Sequence, residues 1–262
     1  MKAIKDDLAI EKTNPSIFKM VCSAIAVAAL YLTYTQMFFK KFDLSHVILY
    51  FLLCCLLGLC TFTFCRTTHV LNKRPQQGKD IIMTVIYFIG LIVFYAVIGI
   101  SNWGAVFTLD LSNMLVVILI ALSAGIVEEL LCRNLLFNLF IKCFDNTKWA
   151  LFWASLSSSA IFGLIHLANL THQPLMPTLQ QIFYAFAFGL MLCFVHIFSN
   201  RIWPCILLHF LMDLQANVNQ AVSVQPWAPL LLEFIPVVVI SLLAIYFYNH
   251  DLIKSINNLS YK

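Results

Sequence analysis

Charge is scarce in this chain. Of its 262 residues only 11% are Asp, Glu, Lys or Arg, whereas 61% are hydrophobic, and the mean hydropathy is +0.89. A soluble domain carries about 25% charged residues. The deficit runs along the whole length, which excludes a soluble domain with one anchor and leaves a polytopic membrane protein. The net charge of +4 is modest, and no basic cluster is interleaved with aromatics, so nucleic-acid binding has no support. No CxxC pair occurs among the nine cysteines, which stand at 22, 54, 55, 60, 65, 132, 143, 193 and 205, mostly inside apolar runs. There a cysteine is a small buried hydrophobe, and neither a disulfide framework nor structural zinc is expected. A cleavable signal peptide is not expected either. Lys2 and Lys5 are mixed with Asp6, Asp7 and Glu11, and the first apolar run is long enough to span and stay. No repeat and no interdomain linker are evident, so residues 1–262 read as a single transmembrane domain.

What is present is a series of apolar runs, each able to cross a hydrocarbon core about 30 Å thick at about 1.5 Å per helical residue. Eight are read, at 17–39, 46–64, 81–100, 111–141, 149–168, 179–198, 204–218 and 228–248. The fold class is therefore all-α, a bundle of about eight transmembrane helices with the functional site inside it. Lys and Arg concentrate in alternate connections: Lys2, Lys5, Lys12 and Lys19, then Arg66, Lys73, Arg74 and Lys79, then Lys142 and Lys148, then Arg201, then Lys254 and Lys262. Loops three, five and seven have none, and only Lys40 and Lys41 dissent. The alternation places both termini in the cytoplasm with an even number of spans. Short loops fit a bacterial inner membrane. The fourth run would measure about 48 Å as a helix, so it must tilt, kink or leave the core. The seventh is short, and Pro204 can open it at its first turn.

Charge inside such runs costs roughly 3 kcal/mol per residue even on lenient scales, and intramembrane acids are usually functional. The fourth run holds Glu128, Glu129 and Arg133. As a helix it places Glu129 and Arg133 at i and i+4, with the acid first, which is the favoured order for an ion pair. Glu128 is rotated about 100° away, on the face of Ala121, Ala124, Gly125 and Cys132, small residues that let another helix approach. Glu129 is then held by Arg133, and Glu128 is left to work in a partly dry cavity, where it could act as a general base. The plain structural reading is a packing ion pair with Glu128 facing water. The fifth run ends in Phe162 and His166, followed by a turn-rich stretch at 168–177 that contains Asn169 and His172. The seventh carries His209 and Asp213 on one face, a pair that can fix a tautomer, hold a metal or simply pack. His46, His69, His196 and His250 lie at run ends or in loops and receive no role.

In order along the chain, Glu128-Glu129-xxx-Arg133, Phe162-xxx-His166 and His209-xxx-Asp213 resemble the motifs of the CAAX protease and bacteriocin-processing family of intramembrane proteases. The likeness covers about 110–218, roughly two fifths of the chain, and the flanking runs fit that family's eight-helix plan. The resemblance implies an intramembrane endopeptidase acting on a membrane-associated peptide or protein, in contact with lipid. It implies that Glu128 and His166 activate water, that Glu129, Arg133 and Phe162 support the site, and that His209 with Asp213 stabilises the oxyanion. Two departures stand out. Cys132 and Asn134 flank the arginine where family members often have an aromatic residue and glycine, and Asp213 stands where the prenyl-endopeptidase branch has asparagine. An ionised aspartate cannot donate to an oxyanion, so Asp213 would be protonated, orient His209 from behind, or bind metal. No particular cofactor is fixed, and zinc dependence stays open, because Glu128, His166 and His209 also make a zinc-ligand set. Two other classes compete: a non-enzymatic immunity or scaffold protein of the same fold, and a proton-coupled transporter, which the lack of an inverted repeat disfavours.

Overall fold

In lipid every backbone polar group must find its partner within the chain, so apolar runs of this length fold as helices. A computed structural model describes residues 8, 13, 15–38, 43–72, 81–216 and 224–259. Each of the eight apolar runs contains a helix: α1 Ile17–Phe38, α2 Leu44–Cys65, α3 Ile81–Val106, α4 Leu111–Glu129 continuing through a π-helical stretch Leu130–Leu136 into α5 Phe137–Cys143, α6 Ala150–Ile165 with a 3-10 extension His166–Thr171, α7 Leu175–Ser199, α8 Trp203–Asp213 and α9 Trp227–Leu259. No β-strand occurs among the described residues, only an isolated antiparallel bridge between Leu8 and Leu71. The chain is an all-α integral membrane protein.

Six of these helical segments are long and apolar enough to cross a membrane. Ile81–Val97 and Trp203–Asp213 are shorter apolar helices. The seventh run therefore differs from the expected full span, since 11 residues rise only about 16 Å. Pro204 occupies its first turn, where the missing N–H breaks no bond. The expected turn-rich stretch at 168–177 is also mostly helical, because the 3-10 extension runs to Thr171 and α7 begins at Leu175. Pro177 is accommodated because it falls in the first turn of α7, whose N–H groups have no intrahelical acceptor. Of the residues that set the expected orientation, Lys2, Lys5, Lys12, Lys40, Lys41, Lys73, Arg74, Lys79 and Lys262 lie outside the described residues. So do Asp6, Asp7, Glu11, position 39 of the first run and positions 217–218 of the seventh.

Two helices start on the same three residues. Asp43-Leu44-Ser45 opens α2 and Asp110-Leu111-Ser112 opens α4, and each aspartate accepts the N–H three residues on, from His46 at 3.2 Å and Asn113 at 3.1 Å. The hydroxyl of Ser45 first, then His46, hold the Asp43 carboxyl below the usual carboxylate range, and the Asn113 N–H does the same for Asp110. Inside the bundle α7 is buried on every face from Ala187 to Ile197, as a central helix must be, and α6 lies against it. The contact is close because Gly163 has no side chain: a Cβ there would lie 2.8 Å from the Ile182 carbonyl oxygen.

At the end of α7 the chain reverses through Asn200, in the left-handed conformation at φ 52° and ψ 34°. Its side chain accepts from the N–H groups of Val70 (2.7 Å) and Leu71 (2.9 Å) and donates to the Leu71 carbonyl (2.9 Å), tying the segment after α2 to the α7–α8 turn. Asn200→Ala should lower the thermal midpoint of the detergent-purified protein, at a cost of about 1–3 kcal/mol for stranding the two N–H groups. Asn200→Gly keeps the left-handed turn but loses the clamp, and should fall between alanine and wild type.

Candidate active site

The fourth segment runs unbroken from Leu111 to Cys143 over 33 residues, and its winding changes at the acidic pair. From Leu130 the turns widen, so that the Phe137 N–H reaches the Cys132 carbonyl five residues back. Ser158 of α6 donates to that same carbonyl at 2.6 Å, and Asn138 Nδ2 donates to the Asn134 carbonyl at 2.7 Å. Cys132 and Asn134 are fully enclosed where that widened turn meets α6.

Glu129 and Arg133 are at the centre of the bundle, both fully buried, with Nη1 3.0 Å from Oε1. The Phe162 ring of α6 lies under the guanidinium, 4.1 Å from Cζ to centroid. The same Oε1 meets Nδ1 of His209 at 2.7 Å. A carboxylate only accepts, so Nδ1 carries a proton and Nε2 is the nitrogen turned towards the other acids. Glu128 Oε2 lies 3.7 Å from it and Asp213 Oδ2 3.3 Å. Glu128 retains 19% side-chain exposure and Asp213 38%, whereas Glu129 has none, so only the first two can meet water or substrate. The residue behind His209 is thus Glu129, and Asp213 sits at the working nitrogen instead.

α8 reaches this position because α4 is bare where they touch. A Cβ on Gly125 would lie 3.0 Å from the Ile206 carbonyl oxygen and 3.3 Å from the Phe210 nitrogen. From the other side α3 holds α8 by its carbonyls: Tyr95 donates to Leu208 at 2.6 Å and the Trp103 indole N–H to Leu211 at 2.8 Å. Phe162 and Phe188 enclose the His209 ring edge-on, at centroid distances of 5.8 and 5.4 Å.

His166 stands on another side of Phe162, with ring centroids 5.3 Å apart. It is the first residue of the 3-10 extension, and its Nδ1 is 2.9 Å from the Phe162 carbonyl. That carbonyl fixes the proton on Nδ1 and leaves Nε2 of the neutral ring as an acceptor. Six of the seven singled-out residues therefore form one contiguous cluster, and His166 joins it through Phe162. Among the described residues no group of three or more His, Cys, Asp or Glu is placed to hold a metal ion, so Glu128, His166 and His209 are not gathered as a ligand set.

Sequence reasoning missed Tyr31. Its hydroxyl, on α1, donates to Glu128 Oε1 at 2.8 Å across 97 positions of chain. The available signal was a run of polar handles in an otherwise apolar helix, Tyr31, Thr33, Tyr34, Thr35 and Gln36. It also missed Phe188, Tyr95 and Trp103, which look like ordinary aromatic content of membrane helices.

The stretch that carries the cluster matches the family described as Type II CAAX prenyl endopeptidase Rce1-like over residues 110–215. That match agrees with the resemblance to the CAAX protease and bacteriocin-processing family and supports a CAAX-type intramembrane protease fold. No curated protein and no solved structure matches the chain.

Removing either member of the buried pair strands the other. Arg133→Ala or Glu129→Ala should each destabilise the protein by about 3–5 kcal/mol, read as thermal unfolding in detergent. The double replacement Glu129→Leu with Arg133→Met should cost less than either single change, and a larger loss would show that the pair does more than cancel charge.

Proposed function

We propose that this protein is an intramembrane endopeptidase that hydrolyses a peptide bond of a membrane-associated substrate. The observation that carries the reading is the division of labour in the acidic pair. Glu129 is sealed against Arg133 and Nδ1 of His209, while Glu128 is partly exposed, with Oε2 3.7 Å from Nε2. A brace and a working face are thereby separated within two consecutive residues.

In the proposed reaction Glu128 Oε2 takes a proton from a water molecule whose oxygen attacks the substrate carbonyl. His166 orients that water through Nε2, the acceptor left by its bond to Phe162. His209, protonated on both nitrogens, donates from Nε2 to the oxyanion of the tetrahedral intermediate. At rest Asp213 accepts that N–H, and the hydrogen bond passes from Asp213 to the oxyanion as charge develops there, the proton staying on Nε2. Collapse of the intermediate breaks the C–N bond, and Glu128 returns its proton to the leaving amine. Glu129 keeps His209 oriented throughout. No step uses a metal.

The alternating Lys and Arg of the connections favour both termini on the cytoplasmic side. The host is proposed to be a bacterial inner membrane, with lipid and the substrate as partners. The name of the matching family makes a prenylated CAAX peptide the first probe to use.

In liposomes bearing a quenched prenylated CAAX peptide, Glu128→Gln, His166→Ala and His209→Ala should each reduce cleavage by about 10²–10⁴-fold while insertion and yield are kept. Thorough chelation should leave the wild-type rate unchanged. Full activity in all three variants would sink the assignment, and activity lost on chelation and restored by zinc would replace the metal-free step.

A further inference from the structure

Glu128 has two carboxylate oxygens with different surroundings. Oε2 faces Nε2 of His209, and Oε1 accepts a hydrogen bond from the Tyr31 hydroxyl at 2.8 Å. Tyr31 is a buried residue of α1, and α1 lies outside the stretch that matches the family. The buried phenol has little competition from water for its proton, so it makes a strong, directional bond to the carboxylate.

The phenol is itself positioned. Thr35, one turn on, spends its single hydroxyl proton on the Tyr31 carbonyl at 2.9 Å. The Tyr50 hydroxyl of α2 lies 3.2 Å from that of Thr35. A chain of contacts results: Tyr50 meets Thr35, Thr35 donates to the Tyr31 carbonyl, and the Tyr31 hydroxyl donates to Glu128. It ties α1 to α2 and both to the acid on α4. α2 in turn packs closely on α4 at Gly58, where a Cβ would approach Ile126 Cγ2 to 2.8 Å.

We propose that Tyr31 is a positioning residue for the reaction described above, and that α1 is an integral part of the active site. By occupying Oε1 it stops the carboxylate from rotating and presents Oε2, the oxygen beside His209, to the water. Without the hydroxyl the carboxylate can turn about its terminal torsion, which is broad and roughly two-fold. Either oxygen then meets His209, and neither is held in line. The catalytic groups would thus be completed from a helix some eighty positions ahead of the matched stretch, and that stretch alone would hold an incompletely oriented acid. This inference rests on the proteolytic reading of Glu128.

The test compares wild type, Tyr31→Phe, Glu128→Gln and the double variant in the same liposome and peptide assay. Tyr31→Phe removes one oxygen and keeps the ring that packs α1. It should lower kcat by about 10-fold or more, with KM within twofold and the thermal midpoint unchanged, since orientation acts on the chemical step. Added to Glu128→Gln it should change the residual rate less than twofold, because the oriented carboxylate is already gone. A second readout needs no substrate: the isotope-edited infrared carboxylate band lost in Glu128→Gln should shift in Tyr31→Phe. Full kcat with an unmoved band in Tyr31→Phe, alongside an inactive Glu128→Gln, overturns the role of Tyr31 and leaves the proteolytic reading intact. An active Glu128→Gln overturns the proteolytic reading itself, while the infrared band still decides whether Tyr31 holds the acid. A fall in the thermal midpoint that accounts for the whole rate loss would reduce Tyr31 to packing.

Discussion

One oxygen atom, Oε1 of Glu129, is shared by Arg133 and His209 in the driest part of the bundle. A carboxylate at that depth is costly to strand, since the idealised penalty for removing such an ion from water is of order 20 kcal/mol. Its neighbours must therefore bring compensating charge and protons to one point. Arg133 comes from the next turn of the same segment, His209 from α8, and the Phe162 ring from α6 covers the guanidinium. Three elements are thus pinned together by the need to satisfy one buried anion. The ring that results has its orientation fixed before any substrate arrives.

Small residues make that convergence possible. Gly125 lets α8 lie on α4, Gly58 lets α2 lie on α4, and Gly163 lets α6 lie on α7. In a membrane, association depends on close packing and interhelical hydrogen bonds more than on hydrophobicity, because lipid is as apolar as the side chains. α8 shows the consequence. It is too short to span by itself, so it is held by what surrounds it: the bare face of α4, the two α3 donors to its carbonyls, and Glu129 on His209. The widened turns at Leu130–Leu136 have a similar logic. A π-helical stretch shifts the side chains that follow it, and it occurs here at Arg133, where the buried pair is made.

Much of this was legible beforehand. The eight apolar runs, their all-helical nature, the Pro204 start of α8 and the ion pair at i and i+4 all follow from local pattern. Local pattern does not reach what was misread. The length of α8 was overestimated because apolar residues continue past Asp213 whether or not the helix does. The stretch at 168–177 was read as turns because its Asn, His and Pro residues favour them, yet packing of Asn169 on Gln181 of α7 at 2.7 Å helps keep it compact. For Asp213 three roles were open, one of them behind His209, because the i and i+4 relation fixes only that the two share a face. Which ring nitrogen meets which acid depends on where α4 lies.

The chain alone determined that this is a helical membrane protein, that the acids, histidines and arginine able to carry chemistry fall on three of its apolar segments, and that one acid of the pair has an arginine a turn away. Periodicity and the cost of buried charge are properties of contiguous residues, so they can be read along the chain. Tertiary structure decided the rest: that Glu129 and not Asp213 holds His209, that Phe162 lies between the two imidazoles and under the guanidinium, and that Tyr31 reaches Glu128 from α1. These are contacts between residues up to 97 positions apart, and they depend on helix rotations and approaches that no local pattern encodes.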